Sequence, residues 1–510
     1  MQSSAIDEPN PHRWFIIAAI MLSTVMEILD TTIVNVSLPH MMGSLSADLD
    51  EISWVLTSYI VAAGVLMPLT GFLVGRFGSK RLLLINIVGF MFTSALCGLS
   101  TNLTEIVLFR LLQGVFGASL VPLSQFILRD TFSAKEQPKM MAIWGIGVMA
   151  APIMGPTLGG FITDALNWRW IFYINVPICI INFFLVLSFI KETPLKKTKI
   201  DWLGIVLMIV SIGSLQLFLD RGQVDDWFAS STISSLFIIF AVTFTWFFVH
   251  CLKVENPVIN IRLFADRSFG FGTLAMTLFA ASVLGSLTLL PQMLQTLFGY
   301  NSELSGLTMA PRGIASGIMM AVASRFMMKG MDPRWIITVG LAVGAYTTWI
   351  MGSMTLDTDM DYIIALGFVQ GLGIGCFFMP LSTIVYTTLP KHSIAEASGL
   401  FSFGRNIGNA MGISLLTTYL SRNTQTNWNI IGAHIQPSNA NLHHWLAAQN
   451  LTLNDPHTIT RLANQLSTQA SFIAYTHTFK IAAIILFGAV FMALLIKAPP
   501  RGTSVAVELH

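Results

Sequence analysis

Long apolar runs separated by short polar connections cover most of the chain. Fourteen of them are long enough to cross a bilayer as helices, at about 14–38, 51–75, 81–101, 104–128, 138–163, 170–190, 202–220, 230–252, 269–298, 304–328, 334–355, 361–388, 395–420 and 471–497. The first, about 25 residues, would be roughly 37 Å long as a helix. The connections alternate in charge. Arg76, Lys80 and Arg81 follow the second run, and Arg129, Lys135 and Lys139 the fourth. Lys191, Lys196, Lys197 and Lys199 follow the sixth, Lys253, Arg262 and Arg267 the eighth, Arg325, Lys329 and Arg334 the tenth, and Lys391 the twelfth. Connections after odd-numbered runs carry no lysine. They hold instead Asp48, Asp50, Glu51, Asp225, Asp226, Asp357, Asp359 and Asp361. Lysine and arginine mark the cytoplasmic side, which predicts cytoplasmic termini. The alternation also requires an even number of spans, since one missed helix would invert every later connection.

Two connections interrupt the rhythm. The segment 191–201 holds four lysines and a proline, and sets the first six runs apart from a two-run insert. A second set of six begins near residue 269. The predicted plan is a six-helix bundle at 1–191, a linker and inserted helical hairpin at 192–253, and a second six-helix bundle at 254–510. The last unit includes an outer loop at 421–470, rich in Asn, Gln, Thr and His, with short amphipathic runs. Loops of that length are uncommon without a role.

Composition agrees with an all-α integral membrane protein: of 510 residues, 54% are hydrophobic and 11% charged, with a mean hydropathy of +0.69. The net charge of +2 is dispersed rather than patched, so nucleic acid is not an expected partner; membrane lipid is. Cys97, Cys179, Cys251 and Cys376 lie in apolar runs and read as small buried hydrophobes. His434, His443, His444 and His457 lack metal-ligand spacing, and no metal is expected. The first run is too long for a cleavable signal core and should remain as an anchor. There is no Gly-Lys dipeptide, hence no phosphate-binding loop, and no H-E-x-x-H. No cofactor is expected. A transporter built this way would draw its energy from an ion gradient.

The informative residues are the polar ones inside the runs. Glu27 and Asp30 are the only charges in the first and, three apart, share a helical face. An acid at that depth costs a few kcal/mol even on lenient insertion scales, and proton or ion coupling is a common reason to keep one. Asp30 lies about 12 Å from the outer end of its span and Arg110 about 9 Å from that of the fourth. Similar depth makes them candidate partners, in a coupling pair or a static structural one. Glu27 and Arg312 are a second pair of similar depth. Gln292, Gln295, Gln370 and Arg405 are further polar groups that could line a cavity, and Lys480 could snorkel. In the fifth run, Pro152 and Pro156 should kink the helix, while Gly155, Gly159 and Gly160 permit close helix approach. The stretch 71–81 is a glycine-rich turn ending in basic residues, where Arg76 could latch one half against the other.

Together these stretches resemble the major facilitator superfamily, and within it the fourteen-span drug:proton antiporters of the EmrB type. The carriers are L-D-T-T-I-V-N-V-S-L-P (29–39), the turn 71–81, R-L-L-Q-G at Arg110 and A-P-I-M-G-P-T-L-G-G (151–160). W-R-W-I-F-Y-I-N-V-P (168–177), L-D-R-G-Q-V-D-D-W-F (219–228), L-L-P-Q-M-L-Q (289–295) and C-F-F-M-P-L-S-T (376–383) match as well. The resemblance implies a major facilitator fold of two six-helix bundles plus an inserted hairpin, in a bacterial inner membrane. It implies export of hydrophobic or amphipathic toxic compounds against protons. Asp30 then resembles the proton-linked acid with Arg110 as its partner, and Gly155 and Pro156 the antiporter kink. Gly71, Arg76 and Gly78 resemble the cytoplasmic gate, although Gly75 stands where many members carry Asp. A periplasmic adaptor and an outer-membrane channel are implied partners, with 421–470 as a docking surface. The alternatives are a narrow exporter of fatty acids or a natural product, and a non-transporting membrane sensor or scaffold.

Overall fold

The computed structural model describes residues 12–133, 136–195, 200–436, 438–449, 452 and 455–497. Lys135, Lys196, Lys197 and Lys199, the side chains of Asp50 and Pro156, and five positions of the 421–470 connection lie outside the described residues.

Among the described residues the protein is helical, without strands. The long helices are α1 (Arg13–Leu45), α2 (Trp54–Phe77), α3 (Ser79–Leu99), α4 (Leu103–Thr131), α5 (Gln137–Ala165), α6 (Trp170–Phe189) and α7 (Trp202–Arg221). They continue as α8 (Ser231–Lys253), α9 (Arg267–Thr296), α10 (Ser302–Met328), α11 (Pro333–Met351), α12 (Met360–Ile384), α13 (Ile394–Gly432) and α14 (Pro456–Leu494). Ten are long and apolar enough to cross a membrane, or eleven if the bent α5 is a single span. The helices α10, α11 and α13 are as long but less apolar. Arg312 interrupts α10, Arg334 opens α11, and Arg405 and Asn406 sit within α13.

Short polar residues start many of these helices by accepting a bond from an orphan N–H of the first turn. Asn102 accepts from Glu105, Asp201 from Gly204, Asp266 from Phe269 and Asn301 from Leu304. Between α2 and α3 the chain turns at Gly78, whose φ of 83° suits glycine.

The helices α1–α6 pack together, as do α9–α14. The two groups meet where α5 lies along α10 and α2 lies against α13. The α7–α8 hairpin packs through α7 on α2 and α13, leaving α8 largely exposed. It touches both groups. Asp220 accepts a hydrogen bond from Thr57 of α2, and Trp227, in the α7–α8 turn, donates to Thr418 of α13 at 3.2 Å.

The 421–470 connection is largely helical. The helix α13 continues to Gly432, a short helix spans Ala440–Ala448, and α14 begins at Pro456. At 39 residues each, α13 and α14 are roughly 58 Å long, about 28 Å more than a hydrocarbon core requires. Beyond the apolar part they stay paired, with Asn427 donating to the Ala470 carbonyl at 3.4 Å.

Candidate functional site

Asp30 and Arg110 form the centre of the first bundle, at 0% and 1% exposure. Arg110 Nη1 donates to Asp30 Oδ2 at 2.6 Å. The other carboxylate oxygen, Oδ1, accepts from Gln113 Nε2 at 3.0 Å and Asn175 Nδ2 at 2.9 Å. Arg110 also donates to the Val55 carbonyl at 3.1 Å and to Gln113 Oε1 at 2.8 Å. Ser94 Oγ accepts from both amides, at 2.6 Å from Gln113 and 3.1 Å from Asn175. The Tyr59 ring covers the guanidinium at 4.3 Å. Five of the bundle's six helices therefore meet at one carboxylate or its partners: α1 through Asp30, α2 through Val55 and Tyr59, α3 through Ser94, α4 through Arg110 and Gln113, and α6 through Asn175. Close approach of α2 and α4 brings them together, since a Cβ on Gly114 would sit 2.9 Å from Ala62 Cβ.

The sixth helix is α5, which packs on the turn of α1 that carries Asp30. A Cβ on Gly155 would lie 2.8 Å from Thr32 Cβ, and one on Gly159 would lie 2.9 Å from the Ile33 carbonyl oxygen. Gly160 is looser, with Val36 at 3.9 Å. The helix bends by 49° between its Gln137–Pro152 and Thr157–Ala165 segments. Pro152 ends the first segment, as expected of a residue that removes a backbone bond. The glycines of this helix divide between the two bundles. Gly155 and Gly159 seat α1 of the same bundle, while Gly145, near Met320 of α10, faces the other.

Glu27, one turn before Asp30, is buried. It does not pair with Arg312. The cation whose field reaches it is Arg405 of α13. Arg312 is 4% exposed, turned against Gly367 and Gly371 of α12, and its Nε has no hydrogen-bond partner among the described residues. Equal depth placed Glu27 and Arg312 on one level, but facing direction keeps them apart. Arg405 is half-buried although it sits in the first third of a 39-residue helix.

The other polar candidates divide. Gln370 is not a free cavity group: it is buried, and its Nε2 donates to Thr348 of α11 at 2.7 Å. Gln292 and Gln295 are exposed near the end of α9. The stem of Lys480 packs over Gly352.

On the side carrying the basic connections, the two bundles are latched. Gly71 lies against the start of α13, where a Cβ would be 2.6 Å from the Glu396 nitrogen. Arg129, at the end of α4, donates to the Ser382 and Thr383 carbonyls in the last turn of α12. Its guanidinium lies 4.2 Å from the Tyr386 ring centre, and Tyr386 donates to Gln125 Oε1 at 3.2 Å. The latch expected from Arg76 is not formed, because that side chain is exposed. Arg129 takes the role, and its cation suits the negative end of the α12 dipole. Gly78 instead shapes the α2–α3 turn, where Glu192 accepts from the Lys80 and Arg81 backbone at 3.1 Å each.

Sequence reasoning missed Gln113, Asn175 and Ser94 as parts of the site, and Arg129 as a latch. Gln113 had a signal, being three residues from Arg110 and so on its face. Among the described residues no three His, Cys, Asp or Glu side chains are placed to hold a metal ion, and all four cysteines are free and buried.

The chain is 37% identical over 482 residues to the fatty acid resistance protein FarB of Neisseria gonorrhoeae, covering 94% of this chain and 95% of that protein. It is 35% identical over 492 residues to the multidrug export protein EmrB of Haemophilus influenzae, covering 95% and 96%. Against EmrB of Escherichia coli it is 34% identical over 492 residues, covering 95% of each. Its fold is similar to that of the proton:xylose symporter XylE, with a TM-score of 0.59 at 12% identity over 95% of this chain and 96% of that one. It is also similar to the human organic anion transporter MFSD10, with a TM-score of 0.61 at 15% identity over 94% and 100%. The Major Facilitator Superfamily profile matches residues 20–413. With two helical bundles meeting along α5–α10 and α2–α13, the chain belongs to the Major Facilitator Superfamily of multi-span membrane transporters.

Proposed function

We propose that this protein is a proton-coupled antiporter that exports hydrophobic or amphipathic compounds across the bacterial inner membrane by alternating access. The observation that carries the proposal is the fully buried Asp30 carboxylate with its three donors. A buried ion pair is a poor choice for stability alone. This one is built so that the acid can change charge. If Asp30 takes a proton, Arg110 keeps two acceptors, the Val55 carbonyl and Gln113 Oε1. The cation is then not stranded, and the bent α5, packed on the same turn of α1, links that charge change to helix movement.

Relatives named for multidrug export and fatty acid resistance support a hydrophobic substrate class. Basic connections support cytoplasmic termini. The polar extension of α13 and α14 is the surface we assign to a periplasmic adaptor, with an outer-membrane channel beyond it. Arg312 favours a second, narrower reading. A buried cation without a counter-ion among the described residues suits a lipophilic carboxylate, such as a fatty acid.

The test is export of tetraphenylphosphonium and of laurate from cells, with and without a proton gradient, by wild type and Asp30→Asn made in equal amount. Gradient-dependent wild-type export that the variant loses supports the proposal. Equal export by both assigns Asp30 a structural role. Export of laurate alone, lost in Arg312→Gln, selects the narrower reading.

A further inference from the structure

The carboxylate network contains one atom that the charged state of Asp30 does not use. Asn175 is fully buried, and its Nδ2 donates to both Asp30 and Ser94. Its Oδ1 has no donor among the described residues. A buried amide oxygen without a partner is costly and calls for an explanation. Protonation of Asp30 supplies one. A neutral carboxyl carries an O–H that must find an acceptor in a dry site. The other acceptors beside it are committed. Gln113 Oε1 already receives Arg110, and Ser94 Oγ already receives two amide donors. We infer that Asn175 is the positioning residue that serves both protonation states of Asp30, its side-chain amide turning over when the proton arrives.

The exchange balances. In the charged state Asn175 Nδ2 donates to Asp30 Oδ1. In the neutral state the proton, taken from solvent, sits on that oxygen, and the turned amide presents Oδ1 to accept it. Ser94 loses nothing, because a hydroxyl that accepted from Nδ2 can donate to Oδ1 instead. Gln113 keeps its bond to Ser94, and Arg110 stays on Oδ2. In the neutral state the Nδ2 group stands where Oδ1 stood and gives up its bonds to Asp30 and Ser94, so the unpaired amide atom is then the nitrogen; that cost favours the return. When the proton leaves to solvent, the amide turns back.

The ionisable and charged groups facing Asp30 are Glu27 on its own helix, Tyr59 of α2, Cys97 of α3, Arg110 of α4 and Cys179 of α6. The helix α5 meets this turn of α1 through Gly155 and Gly159, which carry no charge.

This inference rests on Asp30 being the proton carrier, and its test reads protonation directly, without transport. Purified protein in liposomes is titrated by infrared spectroscopy, following the carboxylic-acid C=O band that Asp30→Asn removes. Asn175→Leu keeps the side-chain shape but neither donates nor accepts. Its carboxylate would retain two donors, Arg110 and Gln113, whereas its carboxylic acid would lose its acceptor. The midpoint of the band should therefore move down, by about half a pH unit or more. An amide that only donates to the carboxylate gives the opposite sign, a small rise, because two donors remain. An upward or unmoved midpoint overturns the inference. Asn175→Thr, whose hydroxyl can donate and accept, covers the case in which the leucine variant does not fold. It should keep the wild-type midpoint, and an upward shift overturns the inference. If no band sensitive to Asp30→Asn titrates between about pH 5 and 9, the proton-carrying role and this inference fall together. If the band behaves as expected but Asp30→Asn still exports with the gradient, only the coupling reading falls.

Discussion

Substituting Gly71 should open the latch on the basic side. Its missing Cβ is what lets α2 touch the first turn of α13. An alanine there would place its Cβ 2.6 Å from both the nitrogen and the Cγ of Glu396. Ordinary contact begins near 3.4 Å, so the overlap is almost an ångström. One of the clashing atoms is backbone and cannot swing aside. Overpacking of this kind costs about 1–3 kcal/mol. The penalty falls only on the state in which the two halves touch here, so it shifts the equilibrium toward the state open on this side by about 5- to 150-fold. Spin labels at Arg76 and Lys391, both exposed and on opposite bundles, read the separation by double electron–electron resonance. The native cysteines are buried and should not compete for label. Gly71→Ala should add or enlarge a longer-distance component. Gly43→Ala, which meets nothing within 4 Å, should leave the distribution as it is. If Gly71→Ala folds and its distribution matches wild type, the reasoning from the α2–α13 contact is wrong.

Other consequences follow from the same geometry. Arg110→Leu leaves Asp30 as an uncompensated buried acid and should lower stability by about 3–5 kcal/mol, read as a fall in melting temperature in detergent; adding Asp30→Asn should restore part of it. Arg129→Ala removes the donors to the α12 carbonyls and should lengthen the same spin-label distance, while Arg129→Lys, which keeps the charge but not the fork, should do so less. Asp201, just outside the membrane-spanning part of α7, is partly desolvated, which pushes its carboxyl up. Bonds from the Gly204 backbone, His250 and the Val258 backbone outweigh that and hold it below the usual carboxylate value. A lowered folded-state value means the stabilisation is fully present above the ordinary value of about 3.9 and is lost as pH falls through the lower, folded one. Asp201→Asn should therefore melt below wild type at neutral pH, with the gap closing only in acid.

Charge at depth was legible in the sequence; direction was not. Asp30 and Arg110 could be matched because two isolated charges in apolar spans can be placed by counting residues, and cost singles out each of them. The same counting suggested Glu27 with Arg312, and there it failed. Depth fixes height along the bilayer normal, whereas pairing also needs rotation about each helix axis, which depends on packing of α10 against Gly367 and Gly371. Gln113, Asn175 and Ser94 raised no alarm because neutral polar groups are cheap to insert and common in spans. Arg129 was visible only as one more basic residue in a connection. Its bond to α12 joins residues more than 250 apart and exists only while the halves touch on that side. The 421–470 connection looked like a loop because its composition is polar, yet helix formation requires only periodic backbone bonding, which α13 and α14 continue beyond the apolar zone.

The central claim is that Asp30 links proton movement to substrate movement without being needed for the rocking itself. Proteoliposomes separate the two. Gradient-driven uptake of tetraphenylphosphonium or laurate requires coupling, whereas exchange of labelled for unlabelled substrate at equilibrium requires only alternating access. Asp30→Asn should lose the driven flux and keep the exchange. Retention of driven flux in that variant, or loss of exchange in protein that is folded, contradicts the account.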